Sequence, residues 1–415
     1  MSNVLGVVAE YNPFHNGHFY HLQESKQRAN ADSCICVISG NFTQRGEPSI
    51  INKWSKAYMA ICGGADLVIE LPVEYSISSA ENFASGAVKI LDSLKIVNTM
   101  SFGAECNDLD TLNNIANVIC NEPTDYKTIL NRELKTGISY PAAIENAIMM
   151  YLNDTKKYAN ILSNPNNILG IEYLKALKQN KSKIEPMLIK RNKVNYNEEK
   201  IVDNFASAST IRKLIERKEY SEVRKVVPKS TFKILEEELK KGNVILGLKR
   251  YEKEILYVLR KMSLEQITSL PDVSEGLQYS IKKAADECNT VDELIKNVKS
   301  KRYTQTRIQR ILIYALLDIN KKDIEDSKNT IPYARILAFN SKGRQLISKI
   351  MKANSNIYMI TSVNKFIEEN TQKESSEKML KMLSKDILAT DVYTLGYEYE
   401  SKAKLDYTHN MMMIE

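Results

Sequence analysis

Apolar positions divide the chain into two regimes. From residue 1 to about 210, short apolar runs such as VLGVVAEY, SCICVISG, GADLVIELP, VNTMSFGAE and IEPMLIKR alternate with stretches of helical spacing such as NFASGAVKILDSL and NILGIEYLKALKQ. Short buried strands separated by helices predict a mostly parallel sheet. Beyond residue 210 nearly every segment, from ASTIRKLIERKEYSEVRKVV to TQTRIQRILIYALLDI, spaces its apolar residues three and four apart, as helices do. The expected fold class is α/β, with a sheet-bearing catalytic domain over 1–215 and a mainly α-helical region over 216–415. A junction at Val227-Pro228-Lys229 and the turn SLPDVSEGL mark breaks within the helical part.

Composition narrows the class. In a chain of 415 residues that is 43% hydrophobic and 26% charged, no window approaches eighteen uninterrupted apolar residues, so a membrane partner is not expected. The start MSNVLGVVAEYN lacks a basic leader region and reads as a strand, so a cytoplasmic protein is expected. Five of the six cysteines lie within or beside apolar runs and none has CxxC spacing, so reduced, mostly buried thiols are expected. The net charge of +7 is unevenly spread: residues 1–180 carry 14 basic and 18 acidic side chains, residues 181–260 carry 20 and 12, and residues 261–415 carry 24 and 21. An acidic front and a basic middle suit a small-molecule site joined to a surface that meets a polyanion.

Chemistry concentrates in VVAEYNPFHNGHFYHL, which holds His15, His18 and His21, three of the four histidines of the chain. VLGVVAEY reads as a buried first strand and NPFHNGH as the turn after it, with a helix beginning near His18. A helix start behind a first parallel strand is an anion site, because its free N–H groups and positive dipole end face the ligand. Histidines three apart share one helical face and can reach one phosphate. Zinc is the competing reading, but the spare His409 lies far along the chain and no cysteine pair stands at ligand spacing; no metal site is expected. A P-loop is absent as well.

These residues carry a resemblance. HNGH at His15–His18 resembles the HxGH motif of the HIGH-superfamily nucleotidyltransferases, and SASTIR at Ser207–Arg212 resembles their second, phosphate-touching motif. The set GVVAEYNPFHNGH, SGNFTQRGEPSI, GADLVIELP, FGAE, NPNNILGIEYLKAL, KRYTQTRIQRIL and AFNSKGRQLI resembles, more narrowly, the bacterial tRNA(Met) cytidine acetate ligase family. The resemblance implies a Rossmann-like doubly wound nucleotidyltransferase domain. It also implies an ATP-dependent reaction in which acetate becomes acetyl-adenylate and the acetyl group passes to the wobble cytidine of elongator tRNA(Met). Acetyl-CoA is not expected, and Mg²⁺ is expected to travel with ATP without a protein cage. His15 and His18 are the expected catalytic pair, stabilising charge on the α-phosphate and bridging oxygen. By resemblance, ATP is contacted by Val7, Val8, Ala9, Glu10, Tyr11, Asn12, Pro13, Phe14, His15, Asn16, Gly17, His18, Phe19 and Tyr20, and by Gly103 in FGAE, Asn166 in NPNN and Arg191 in KRNKV. Lys190, Arg191, Ser209, Thr210 and Arg212 offer cations and hydroxyls to the β and γ phosphates. The acetate pocket is expected near the ends of SGNFTQRGEP and GADLVIELP.

The segment VKSKRYTQTRIQR contains Lys299, Lys301, Arg302, Arg307 and Arg310 without an acid, and Tyr303 offers a stacking face, so it is the expected tRNA contact. KMLSK at Lys381–Lys385 resembles a synthetase KMSKS loop only loosely, and its apolar spacing is that of a packed helix. Two other function classes fit fewer residues: a small-molecule nucleotidyltransferase does not need so long a basic helical appendage, and a non-catalytic RNA-binding protein does not need His15, His18 and Arg212. No protein partner is expected.

Overall fold

The computed structural model describes residues 3–138, 140–191, 201–330, 332–353, 355 and 357–415. Its eight strands are β1 (Val4–Ala9), β2 (Ser33–Ser39), β3 (Leu67–Leu71), β4 (Thr99–Ala104), β5 (Glu185–Lys190), β6 (Ala334–Phe339), β7 (Met359–Ile360) and β8 (Met412–Met413). They form one sheet in the order β5-β4-β1-β2-β3-β6-β7, with β8 also paired to β6. The first five strands run parallel, and β6 joins β3 antiparallel.

The side-chain period of two explains the layers. Leu5, Val7, Cys34, Cys36, Ile38 and Val68 face a core shared with α1 (Asn16–Arg28) and α2 (Lys53–Cys62). Val4, Ile35, Val37, Leu67 and Ile69 face a second core with the helices Ala80–Ser93, Leu109–Asn121 and Pro165–Gln179. Both faces of the strands are buried, which is why their sequences are continuously apolar. Helices on both sides of a 5-4-1-2-3 sheet make the doubly wound α/β fold that was expected. A third core lies within the helices between Leu248 and Ile319, and Phe42, Val73 and Ile77 from the sheet's loops enter it.

Sheet and helices do not part at residue 215. Three strands from beyond Ala334 complete the sheet, and Lys381–Lys385 lies in the helix Glu377–Thr394, with Lys381 paired to Asp323. The return is fastened by charges sunk in the core. Lys53 of α2 meets Glu70 of β3 at 3.0 Å and Asp406 at 2.8 Å, while Arg335 of β6 pairs with both Glu70 and Asp406. All four residues are nearly or wholly buried. The cysteines are free thiols; Cys34, Cys36 and Cys288 are buried, whereas Cys62 is exposed and Cys106 and Cys120 are half-buried, so the expected burial holds for three. No helix among the described residues is long and apolar enough to cross a membrane.

Breaking one member of this buried network leaves an uncompensated charge, whereas removing an opposite pair does not. Arg335→Met should lower the unfolding free energy by about 3–5 kcal/mol in urea titrations. Arg335→Met combined with Asp406→Asn should recover part of that loss, and additive losses would contradict the network.

Candidate active site

β1 stands between β2 and β4, where the chain's crossovers turn to opposite faces, so a crevice opens at the carboxyl end of β1. The loop that leaves β1 is held from below. Tyr11 and Phe14 are buried and contact each other edge-on, and Phe14 fills the space beside Gly63, where a Cβ would stand 2.3 Å from the ring. Asn12 Oδ1 accepts the Ile50 N–H at 2.7 Å. The Lys56 ammonium donates to the carbonyls of Glu10 (3.2 Å), Ser39 (2.8 Å) and Gly40 (2.6 Å) and to Ser49 Oγ (2.8 Å), which ties the ends of β1 and β2 together.

α1 begins with a reciprocal cap built from histidines. Gly17 N donates to His15 Nδ1 at 3.0 Å, and His15 N donates to His18 Nδ1 at 3.3 Å. The two rings stack with centroids 3.7 Å apart. A Cβ on Gly17 would stand 2.9 Å from His15 Cε1, so glycine is required between the histidines. With Nδ1 of His15 accepting, the proton of the neutral ring sits on Nε2. One turn further, His21 Nε2 lies 3.2 Å from Ser101 Oγ. Burial first, and then the nearby Arg191 guanidinium, bring His15 down to about 3 and His21 down to about 4. His18 is lowered by burial and then by His15, Arg191 and His21. At neutral pH the cluster is uncharged and beside a cation.

The structure brings the second motif to the first. Ser207 caps the helix Ala208–Glu216, its Oγ 2.8 Å from Ser209 Oγ and from Thr210 Oγ1. Arg212 reaches the Asn12 carbonyl at 3.0 Å and Glu47 at 2.9 Å. Asn16 Nδ2 donates to the carbonyls of Asn204 and Lys225. On the other flank, Arg191 and His21 close on the bare strand end at Gly103, where a Cβ would stand 3.3 Å from Arg191 Cγ and 3.7 Å from His21 Cδ2. Asn166 lies further along that edge, its Nδ2 2.5 Å from Glu105, which also accepts the Asn167 N–H. Lys190, the last residue of β5, is exposed; the remainder of KRNKV, residues 192–194, falls outside the described residues.

Three residues of this site are not among the expected site residues. Glu105 couples FGAE to NPNN, Glu47 clamps Arg212, and Lys56 fastens both strand ends. Glu105 stood inside a quoted motif and could have been singled out. Lys56 sits in a helical stretch whose pattern gives no sign that its head is buried.

The arginines of the expected tRNA segment have partners within the chain. Arg307 donates to the Asp272 carbonyl (2.9 Å) and Ser274 Oγ (2.9 Å), Arg310 meets the Asp272 carboxylate at 2.7 Å, and Arg302 pairs with Glu275. Tyr303 OH reaches Ser274 O, and the Arg307 guanidinium lies over its ring. In the free chain these side chains hold the SLPDVSEGL turn. The run has no acid in sequence, but the fold brings acids to it. Lys299 and Lys301 remain exposed.

The chain matches the HIGH Nucleotidyl Transferase family over residues 2–408. A tRNA(Met) cytidine acetate ligase of Acetivibrio thermocellus is 44% identical, covering 99% of this chain and 100% of the relative. One of Thermoanaerobacter pseudethanolicus is 45% identical, again over 99% and 100%. A crystal structure of Thermotoga maritima TmcAL bound with alpha-thio ATP superposes with a TM-score of 0.93 at 32% identity, covering 99% of both chains.

The depressed histidines set a pH dependence. Their folded-state values lie below the ordinary 6.5, so the unfolded chain takes up protons that the folded chain refuses as pH falls. The stability they allow is complete above about pH 6.5 and is lost toward pH 4. In urea titrations between these limits, His15→Gln, whose amide oxygen can still accept the Gly17 N–H, should flatten the fall by up to about 1.4 kcal/mol per pH unit. An unaltered slope would show that His15 is not held neutral.

Proposed function

The chain belongs to the HIGH nucleotidyl transferase family and, within it, to the tRNA(Met) cytidine acetate ligases, and on that premise we propose that it activates acetate with ATP and acetylates the wobble cytidine of elongator tRNA(Met). An acetate oxygen attacks the α-phosphorus, pyrophosphate leaves, and acetyl-adenylate forms. The exocyclic amine of cytidine then attacks the acetyl carbonyl, loses a proton and expels AMP, leaving N(4)-acetylcytidine. The full-length likeness to relatives of that name is the observation that carries the reading.

The geometry suits the first step. A triphosphate laid across the start of α1 meets two neutral imidazoles whose positions are fixed by their own cap. Neutral rings can stand beside Arg191 without repelling it, and they donate to charge that grows on the bridging oxygen as pyrophosphate departs. No covalent nucleophile is needed. The loop from Val7 to Tyr20 and Gly103 form the bed of the nucleotide, Asn166 holds its edge, and Arg191, Ser209, Thr210 and Arg212 serve the outer phosphates. Arg212 gives up or shares its contact with Glu47 to do so. Mg²⁺ arrives as part of the nucleotide substrate. The acetate site lies by this reading at the ends of β2 and β3, and Lys56 fixes the backbone at the end of β2.

The two half-reactions can be separated. His18→Ala should reduce acetate-dependent exchange of pyrophosphate into ATP by roughly a hundredfold, the usual cost of one lost transition-state donor. Its affinity for tRNA should stay that of the wild type. Exchange at the wild-type rate would remove the histidine pair from the chemistry.

A further inference from the structure

The arginines of 302–310 contact the neighbouring turn, and a second basic surface lies on the same helical region. The helix Glu252–Lys261 buries Ile255, Leu256 and Leu259 in the third core. Its opposite face carries Lys253, Tyr257 and Lys261, four residues apart and all exposed. Tyr257 is 64% exposed, and Lys261 Nζ lies 5.9 Å from its ring centroid. Beside this stripe runs an open groove of about 590 Å³ lined by Lys253, Leu256, Tyr257, Arg260, Lys261 and Asn289. Three cations line it and no acid does.

The groove is preformed. Arg260 donates to the carbonyls of Ala285 (2.8 Å) and Cys288 (2.9 Å), which fixes one wall against the helix Leu277–Glu287. Lys282 caps the end of the basic helix through the Arg260 carbonyl at 2.6 Å. Of the nearby acids, Glu252 accepts the Val291 N–H and Glu293 the Asn289 N–H, while Glu254 stands on the first turn of the same helix.

We propose that the groove along Glu252–Lys261 is a tRNA-binding surface, with Lys253 and Lys261 on backbone phosphates and an unpaired base stacked on Tyr257. The assignment rests on the ligase reading above for the identity of the RNA. Eight residues of helix separate the lysines, about 12 Å, which leaves room for a base between them. Cations that track a backbone together with an aromatic face that accepts any base are the means by which proteins hold single-stranded nucleic acid. A membrane would ask the helix for an exposed apolar face, and its apolar face is already buried.

The test uses the full chain, elongator tRNA(Met) and a series of salt concentrations. Lys253→Gln with Lys261→Gln should weaken binding and lower the slope of log affinity against log salt by about 1.5 to 2. Tyr257→Ala should weaken binding about tenfold with the slope unchanged, and Tyr257→Phe should bind as wild type. All three lie on the surface, and unaltered acetate-dependent exchange shows that each variant is folded. Wild-type affinity and slope in both the glutamine pair and Tyr257→Ala would overturn the groove. So would wild-type tRNA binding in variants that lose adhesion to phosphatidylglycerol vesicles, which would make it a membrane contact. A wild-type chain that binds tRNA but transfers no acetate would overturn the ligase reading instead, and one that binds no tRNA would overturn both.

Discussion

A single buried ammonium holds the crevice open. Lys56 is wholly buried, and four oxygens surround its head, three of them carbonyls at the carboxyl ends of β1 and β2. Parallel strands leave such carbonyls unpaired where the sheet stops, and buried carbonyls need donors. Burial, offset in part by the Glu10 and Glu70 carboxylates, brings Lys56 down to about 7. One cation therefore replaces several backbone partners that a longer strand would have provided. The loops leaving β1 and β2 can then diverge at once, one toward the histidine cap and the other toward Gln44 and Gly46, where it docks on the helix Gln305–Leu316. Gly46 has a φ of 72°, and a Cβ there would stand 2.3 Å from the Arg310 nitrogen, so the docking itself depends on glycine.

The histidines build on that frame. As ordinary side chains at a helix start they would be solvated and half charged near neutrality. Stacked on each other, packed against Tyr11 and placed near Arg191, they are neutral donors. The cap fixes where their protons point, and it uses backbone N–H groups of α1 that would otherwise face the ligand. In the proposed reaction the imidazoles thus stand in for the helix start, moving its positive character outward to where phosphate oxygens change charge.

Much of this could be read before the structure. HNGH behind a buried run, and SASTIR about 190 residues later, give the two halves of the site because each motif contains its own cap and its own donors. The alternating runs give the five parallel strands for the same local reason. Contacts set by tertiary packing were not legible. ARILAF at Ala334–Phe339 is a short apolar run amid helices, and only its pairing with β3 and the buried Lys53–Glu70–Arg335–Asp406 network make it a strand. Arg307 and Arg310 look free in a run without acids, because Asp272 lies more than thirty residues away in sequence. The stripe of Lys253, Tyr257 and Lys261 was visible as spacing, but its exposure was not.

In the proposed reaction acetate attacks the α-phosphorus of ATP. Acetate labelled with ¹⁸O in both oxygens distinguishes this from every other activation, because the attacking oxygen stays on phosphorus when the acetyl group leaves. With elongator tRNA(Met) and ATP, mass spectrometry should find AMP carrying one ¹⁸O for each N(4)-acetylcytidine formed. Unlabelled AMP, or ¹⁸O appearing in orthophosphate with ADP as the nucleotide product, would contradict the account.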